Sequence, residues 1–340
     1  MGFYSFPLSL ATIPLTIVGC IIASFIIVYL IGVFCYLYKF IIFKRKDRNY
    51  KGKHVFIFGG SAGIGQALAY RLASQGAIIS IAARTENKLI ETKEECIKRN
   101  NNVICDYYIC DMCKTEDVRK SLTEAVKKHG YPSLLINCAG IAHPGYIEDI
   151  QYEQYEKDMN LNYFGSLRML KEANDLYEQN EVKQTQPRID IVCVGSVFGL
   201  IGSIGYTAYN PTKYAVKGLV DCLRFEYLDK NIHMHYMAPS NMDTPGFAIE
   251  NQNKPKLVAD MENNVQTISA DYAAHTLLCN LDNYCITTEA DLEMLKVAPS
   301  FMSEFDIFDY LMAPFASLAI YIYRKSIEGN IMKNIDHKKD

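Results

Sequence analysis

The run Phe58-Gly59-Gly60-Ser61-Ala62-Gly63-Ile64-Gly65 limits what this chain can fold into more than any other feature. It follows the apolar segment His54-Val55-Phe56-Ile57-Phe58, which reads as a buried strand. It leads into a helical pattern from Ile64 to Ser74 that stops at Gly76, a C′ glycine. A glycine turn between strand and helix lets the backbone approach a dinucleotide pyrophosphate and aims helix N–H groups at its oxygens. Strand and helix patterns then alternate as far as residue 245. Further strands are expected over Ala77–Ala83, Val103–Ile109, Leu134–Asn137, Ile189–Val194 and Ile232–Met237. Helices are expected over Glu86–Asn100, Glu116–His129, Tyr209–Asp229 and, as one long element, Tyr152–Leu176. All-apolar strands alternating with amphipathic helices predict an α/β fold, a Rossmann-type doubly wound parallel sheet with helices on both faces.

The second strand separates two cofactors. It closes on Ile81-Ala82-Ala83-Arg84, with no acid to accept from a ribose 2′-hydroxyl, and Lys88 lies four residues on. Arg84, Lys88 and the Ser61 hydroxyl can hold a 2′-phosphate that a carboxylate would repel, so NADP(H) is expected. Asp111, ending the third strand, is placed for the adenine amino group. Asn137-Cys138-Ala139-Gly140 ends the fourth strand, where small residues admit the nicotinamide-side ribose. The expected cofactor residues are therefore Gly59, Gly60, Ser61, Ala62, Gly63, Ile64, Gly65, Arg84, Lys88, Asp111, Asn137, Ala139 and Gly140, joined by Tyr209 and Lys213.

Those last two come from Tyr209-Asn210-Pro211-Thr212-Lys213, whose i,i+4 spacing places phenol and amine on one helix face. A nearby ammonium is expected to lower the phenol pKa, so that Tyr209 passes a proton to a developing alkoxide. Ser196 precedes the tyrosine at the end of a strand and can polarise a carbonyl by hydrogen bonding. Ser196, Tyr209 and Lys213 are the expected catalytic residues.

From about Lys53 to Gly246 the chain resembles the short-chain dehydrogenase/reductase family, on the glycine turn, Asn137-Cys138-Ala139-Gly140, Ser196 and Tyr209-x-x-x-Lys213. The resemblance implies a fourth catalytic residue, an asparagine in a proton relay. Met159-Asn160-Leu161-Asn162-Tyr163-Phe164-Gly165 matches its place, and the glycine three residues on selects Asn162 over Asn160. Phe58, in place of the usual threonine, and Gly195, before the serine, depart from the family pattern in ways expected to be harmless. The form Gly59-Gly60-Ser61-Ala62-Gly63, the pair Arg84 and Lys88, the run Asp243-Thr244-Pro245-Gly246-Phe247 and the apolar chain ends resemble one branch of the family. That branch reduces the 3-ketone of a long-chain sphingoid base in the endoplasmic reticulum membrane. The resemblance also implies a homodimer or homotetramer paired through the helices carrying Asn162 and Tyr209; separately, the segment from about Met242 to Met261, beyond the carboxyl end of the sixth strand, is expected to form a flexible substrate lid.

The two ends read differently from the middle. No charge occurs from Phe3 to Tyr38, and Leu15–Tyr38 is almost continuously apolar, long enough to cross a bilayer. Lys39, Lys44, Arg45, Lys46 and Arg48 follow, which predicts an uncleaved anchor over residues 1–43, a basic linker at 44–52 and a catalytic domain at 53–297 facing the cytosol. The tail, 298–340, carries the uncharged run Ala313–Tyr323 and is expected to lie on or re-enter the membrane. Eleven cysteines scattered through strands and helices fit reduced thiols, and Cys110 and Cys113 lack a second pair that would complete a zinc site. His233 and His235 alternate on a strand with no third ligand evident, so no metal is expected. A formal net charge of -3 gives no basic stripe for nucleic acid. The competing readings are a microsomal hydroxysteroid, retinol or long-chain 3-ketoacyl reductase of the same family, and a non-catalytic NADP-binding membrane adaptor.

Overall fold

In the computed structural model, residues 48–179, 187–262 and 265–288, with single positions at 325 and 329, are described. Seven parallel strands form the sheet: β1 (His54–Phe58), β2 (Ile78–Ala83), β3 (Ile104–Ile109), β4 (Leu134–Asn137), β5 (Ile189–Val194), β6 (Ile232–Ala238) and β9 (Cys285–Thr287). Their order across the sheet is β3-β2-β1-β4-β5-β6-β9. Every residue of β1 and β4 is buried, as a parallel strand covered on both faces requires. On one face pack helices α1 (Gly63–Gln75), α2 (Glu86–Arg99) and α9 (Ala270–Cys279). On the other pack α3 (Thr115–His129), α5 (Gly165–Gln179) and α6 (Tyr209–Glu226). The chain steps from β1 through β2 to β3, then returns across β1 to lay β4 on its other side. At such a switch point the loops leaving β1 and β4 part, and the crevice between them is the natural ligand site.

Between β6 and α9 stand two short helices, α7 (Pro245–Gln252) and α8 (Lys256–Glu262), where the lid is expected. They are flanked by a two-residue parallel pair, β7 (Met242–Asp243) with β8 (Ile268–Ser269). Thr244 caps α7 by accepting from the Phe247 N–H, and Pro245 opens the helix, so its start is written in the local sequence.

Three expectations need correction. The single helix over Tyr152–Leu176 is α4 (Tyr152–Asp158), a wide π turn over Met159–Phe164, and α5, which runs on to Gln179. In the wide turn the Gly165 N–H bonds the Asn160 carbonyl, five residues back, while the Arg168 guanidinium takes both the Asn160 carbonyl and its side-chain oxygen. Helix α6 ends at Glu226 rather than Asp229, because the chain tightens into turns with Leu228 N bonded to Phe225 O and Lys230 N to Tyr227 O. Strand β9 was not expected at all; three residues are too few to show a period, and it exists by pairing with β6. The membrane segments read at 1–43 and 298–340 lie outside the described residues, apart from positions 325 and 329. Among the described residues no helix is long and apolar enough to cross a membrane.

Candidate active site

The carboxyl ends of β1, β2, β4 and β5 open onto a cavity of about 620 Å³. Gly59, Ser61, Arg84, Lys88 and Gly140 border it, as do Ser196, Tyr209 and Lys213, together with Phe247 and Glu250 of α7.

The glycine turn is shaped by contact, not only by freedom. A Cβ on Gly59, whose φ is +73°, would lie 2.7 Å from the Ala139 amide nitrogen. One on Gly65 would lie 2.3 Å from the Gly59 carbonyl oxygen. The turn therefore packs bare backbone against the end of β4 and against α1. Ala62 at the head of α1 supplies no side-chain acceptor, and the first turn of the helix holds no acid, so its N–H groups are left for an anion. Arg84 and Lys88 border the cavity, and among the described residues neither is ion-paired to an acid. A cradle that any Cβ would fill, an open helix start and two unneutralised cations at the end of β2 fit a dinucleotide carrying a 2′-phosphate.

Five of the expected residues stand behind the wall rather than bordering the cavity: Gly60, Gly65, Asp111, Asn137 and Asn162. Asn137 donates to Ser166 Oγ (2.9 Å) and accepts from the Ala139 N–H (3.0 Å), so it fixes the turn that carries Ala139 and Gly140. Asp111, expected at the adenine amino group, is engaged within its own loop. Its carboxylate accepts from the Cys113 N–H (3.0 Å), two residues on, closing a local turn while Cys110 and Met112 border the cavity.

After β5, Ser196 caps the short turn Val197–Gly199: Oγ accepts from Phe198 N–H (3.2 Å) and lies near enough to the Tyr209 phenol to favour its ionised form. Lys213, 4% exposed, holds its Nζ 5.4 Å from the Tyr209 ring centre and donates to the Val194 carbonyl (3.3 Å). Burial pulls the lysine pKa down to about 8. The lowered phenol pKa expected beside an ammonium is not found. Burial pushes Tyr209 well above the usual phenol range, Glu250 adds to that, and Ser196 offsets only part. Tyr209 is thus held as the protonated phenol, the form a proton donor must have.

Asn162 is buried in the wide turn, accepting from Ile141 N–H and donating to Ile141 O and Thr212 Oγ1, each at 2.9 Å. Thr212 in turn donates to the Tyr209 carbonyl (2.7 Å). A Cβ on Gly140 would meet Asn162 Oδ1 at 3.2 Å and Lys213 Nζ at 3.3 Å, which places both polar groups beneath the same glycine. Asn160 faces away, bonded to Arg168.

Sequence reasoning missed one buried support. The Tyr236 hydroxyl of β6 accepts from the Ser196 N–H (3.2 Å) and donates to the Ser196 carbonyl (3.0 Å), with the Lys213 carbonyl 3.4 Å away. A Cβ on Gly195 would sit 2.1 Å from the Tyr236 ring, and one on Gly199 1.9 Å from its oxygen. Gly195 is therefore not a harmless departure but the room in which that tyrosine fits. An apolar strand ending in glycine before a serine was the available signal, and only with Tyr236 in view does it have meaning. His143 also borders the cavity, held by Nδ1 to buried Asp158 (2.5 Å). His235 is bonded to Asp190 (3.0 Å) and the Asn283 carbonyl (2.7 Å), and Cys96, Cys105, Cys110, Cys113, Cys138, Cys193 and Cys222 are free thiols.

Comparison with known proteins gives three findings. Residues 53–255 match the family described as short chain dehydrogenase. The chain is 31% identical over 313 residues to a 3-ketodihydrosphingosine reductase of Dictyostelium discoideum, covering 86% of this chain and 91% of that one. It is 33% identical over 248 residues to a 3-dehydrosphinganine reductase of Danio rerio, covering 71% of each. Among solved structures, levodione reductase superposes with a TM-score of 0.63 at 20% identity, covering 72% of this chain and 99% of that one. A variant of actinorhodin polyketide ketoreductase solved with NADPH superposes at 0.64 and 19% identity, covering 71% and 97%.

Proposed function

The chain belongs to the short-chain dehydrogenase family, and on that premise we propose that it reduces the 3-ketone of 3-ketodihydrosphingosine to the alcohol with NADPH, a step of sphingolipid synthesis. The observation that carries the chemistry is one cavity bordered both by the glycine turn with Arg84 and Lys88 and by Ser196, Tyr209 and Lys213. The names of the relatives carry the substrate.

When bound, NADPH supplies the hydride. Gly59, Ser61, Ala62, Gly63 and Ile64 would hold its pyrophosphate, with Gly60 and Gly65 leaving the backbone room behind them; Ser61, Arg84 and Lys88 would hold its 2′-phosphate, and Ala139, Gly140 and Lys213 its nicotinamide-side ribose. Ser196 Oγ holds the ketone oxygen and polarises it. Tyr209 Oη, protonated by burial, gives its proton to that oxygen as negative charge develops there. Lys213, beneath the same wall, stabilises the phenolate left behind. Asn162 keeps this wall in place by fixing Ile141 and Thr212, and its part in a proton relay is what the family resemblance supports.

The reading extends to the setting of the enzyme. The apolar run Leu15–Tyr38 followed by basic residues supports an anchor in the endoplasmic reticulum membrane with the catalytic domain toward the cytosol. The apolar tail supports a second membrane contact, and the family resemblance supports a dimer or tetramer paired through the helices of Asn162 and Tyr209.

An NADPH-oxidation assay with 3-ketosphinganine beside a steroid ketone, retinal and a 3-ketoacyl thioester tests the substrate. Turnover of the sphingoid ketone above the others is expected. Tyr209→Phe should lower kcat by roughly 10²–10⁴ while NADPH binding, read by its fluorescence, persists. Failure to reduce the sphingoid ketone, or full activity in Tyr209→Phe, overturns the assignment.

A further inference from the structure

The cavity carries one carboxylate that hydride transfer does not use. Glu250 of α7 borders it together with Phe198, Tyr209 and Phe247. Its Oε1 accepts from the Tyr206 hydroxyl (2.6 Å) and lies 3.4 Å from Lys254 Nζ. That ammonium is closer to Glu262, at 2.6 Å from Oε2, which also accepts from Asn241 Nδ2 (3.1 Å), while Glu262 Oε1 lies 2.9 Å from the Tyr206 oxygen, whose single proton serves one carboxylate at a time. Two carboxylates therefore share one cation, and the shorter ion pair belongs to Glu262, which does not border the cavity. The charge left over falls on Glu250, whose side chain is only 17% exposed. A carboxylate this far from water and short of a full counter-ion is costly, and a cation brought by a ligand offsets that cost.

We infer that Glu250 recognises the ammonium group of an α-amino ketone whose carbonyl is held by Ser196 and Tyr209. This rests on the function proposed above, since the long-chain base carries its amine on the carbon beside the ketone. Phe198, Phe247 and Ile249, which border the same cavity, suit the alkyl chain that follows. The arrangement also links recognition to proton transfer. Glu250 adds to burial in keeping the Tyr209 proton tightly held, and an ammonium seated on Glu250 cancels that contribution. The phenol becomes the stronger acid only when the amino ketone is in place.

The experiment compares 3-ketosphinganine with its N-acetyl derivative, which has the same ketone and chain but no cation, in wild type and Glu250→Gln. Glutamine retains an acceptor for Tyr206, so the substitution removes charge more than structure, and an NADPH fluorescence titration confirms that the variant is folded. The expected result is a loss of kcat/KM in Glu250→Gln at least tenfold greater for the amino ketone than for the N-acetyl ketone. Equal losses on both substrates overturn the inference while leaving the reductase reading intact. Absence of wild-type turnover on either ketone overturns the reductase reading itself. If the variant binds no NADPH, the wild-type pair decides: equal kcat/KM for the two ketones sinks the role of Glu250.

Discussion

Lys213 shows how a functional side chain sits where stability alone would not put it. Its pKa falls from the ordinary 10.5 to about 8 because burial disfavours the charged form. The unfolded chain therefore binds this proton more tightly than the folded one. Below pH 8 the ammonium opposes folding in full; between pH 8 and 10.5 the opposition fades. Lys213→Met, which keeps much of the volume, should raise unfolding stability at pH 7 by up to about 3 kcal/mol, reduced by the lost bond to Val194, and should abolish turnover. Denaturant unfolding of both proteins at pH 7 and pH 10.5 checks it: the gap should be present at the first and nearly gone at the second. A gap independent of pH would mean that burial of the charge is not its source. Tyr209 is the counterpart, an acid whose burial preserves the proton it has to give.

At the scale of elements, catalysis depends on how β5, the turn after it, α6 and β6 are locked together. Ser196 ends the first and Lys213 lies in the third, and the Tyr236 hydroxyl from β6 meets the backbone of both. Gly195 and Gly199 leave the space that the phenol occupies. Gly195→Ala forces a methyl into the Tyr236 ring and should cost roughly 1–3 kcal/mol or more of stability. Adding Tyr236→Ala relieves the clash, so the double-mutant cycle should show a coupling of at least 1 kcal/mol; strict additivity would deny that the ring and the glycine share one space. Tyr236→Phe keeps the ring but removes the hydroxyl. It should lower kcat about tenfold with NADPH affinity unchanged, because it loosens the serine and not the glycine turn. The wide turn in the α4–α5 helix is a second such device, since it brings Asn162 to Ile141 and Thr212 while Arg168 satisfies the carbonyl at Asn160.

Across the whole molecule, the sheet separates a polar anchor at one end from the cavity at the other. Asp190, 2% exposed, lies near the amino end of β5 and takes Arg48 (2.7 Å), Arg188 (2.9 Å) and His235 (3.0 Å). Burial pushes its pKa up, yet the hydrogen bonds from His235 and Arg188 outweigh burial and hold it at about 2. The anchor thus ties the start of the described chain to β5 and β6, while Val194, at the far end of β5, meets Lys213. Because the folded pKa lies below the ordinary carboxylate value, this stabilisation is present above about pH 4 and lost as pH falls through 2. Asp190→Asn should cost roughly 1–3 kcal/mol at pH 7, because buried His235 and the part-buried Arg48 and Arg188 lose a charged acceptor while Asp282 still pairs both arginines. The deficit relative to wild type should shrink at pH 2 in thermal unfolding. An equal deficit at both pH values would place the stabilisation elsewhere.

Read alone, the chain shows the order of strands and helices as far as β6, the glycine turn at the end of β1, the missing acid and the two cations after β2, and the pairing of Tyr209 with Lys213. Each of these is a local matter: side-chain periodicity, a turn that excludes Cβ, or one helical turn between two residues. Tertiary structure decided the rest. Gly195 has its meaning only beside Tyr236, forty residues away from the serine that follows it. Glu250 has its meaning only in sharing a cavity with Tyr209, and β9 exists only as a partner of β6. Asp111 was drawn into its own turn, and the tyrosine pKa rose where proximity to an ammonium alone had suggested a fall. Desolvation and contact between distant segments set these outcomes, and neither is carried by the residues on either side of a given position.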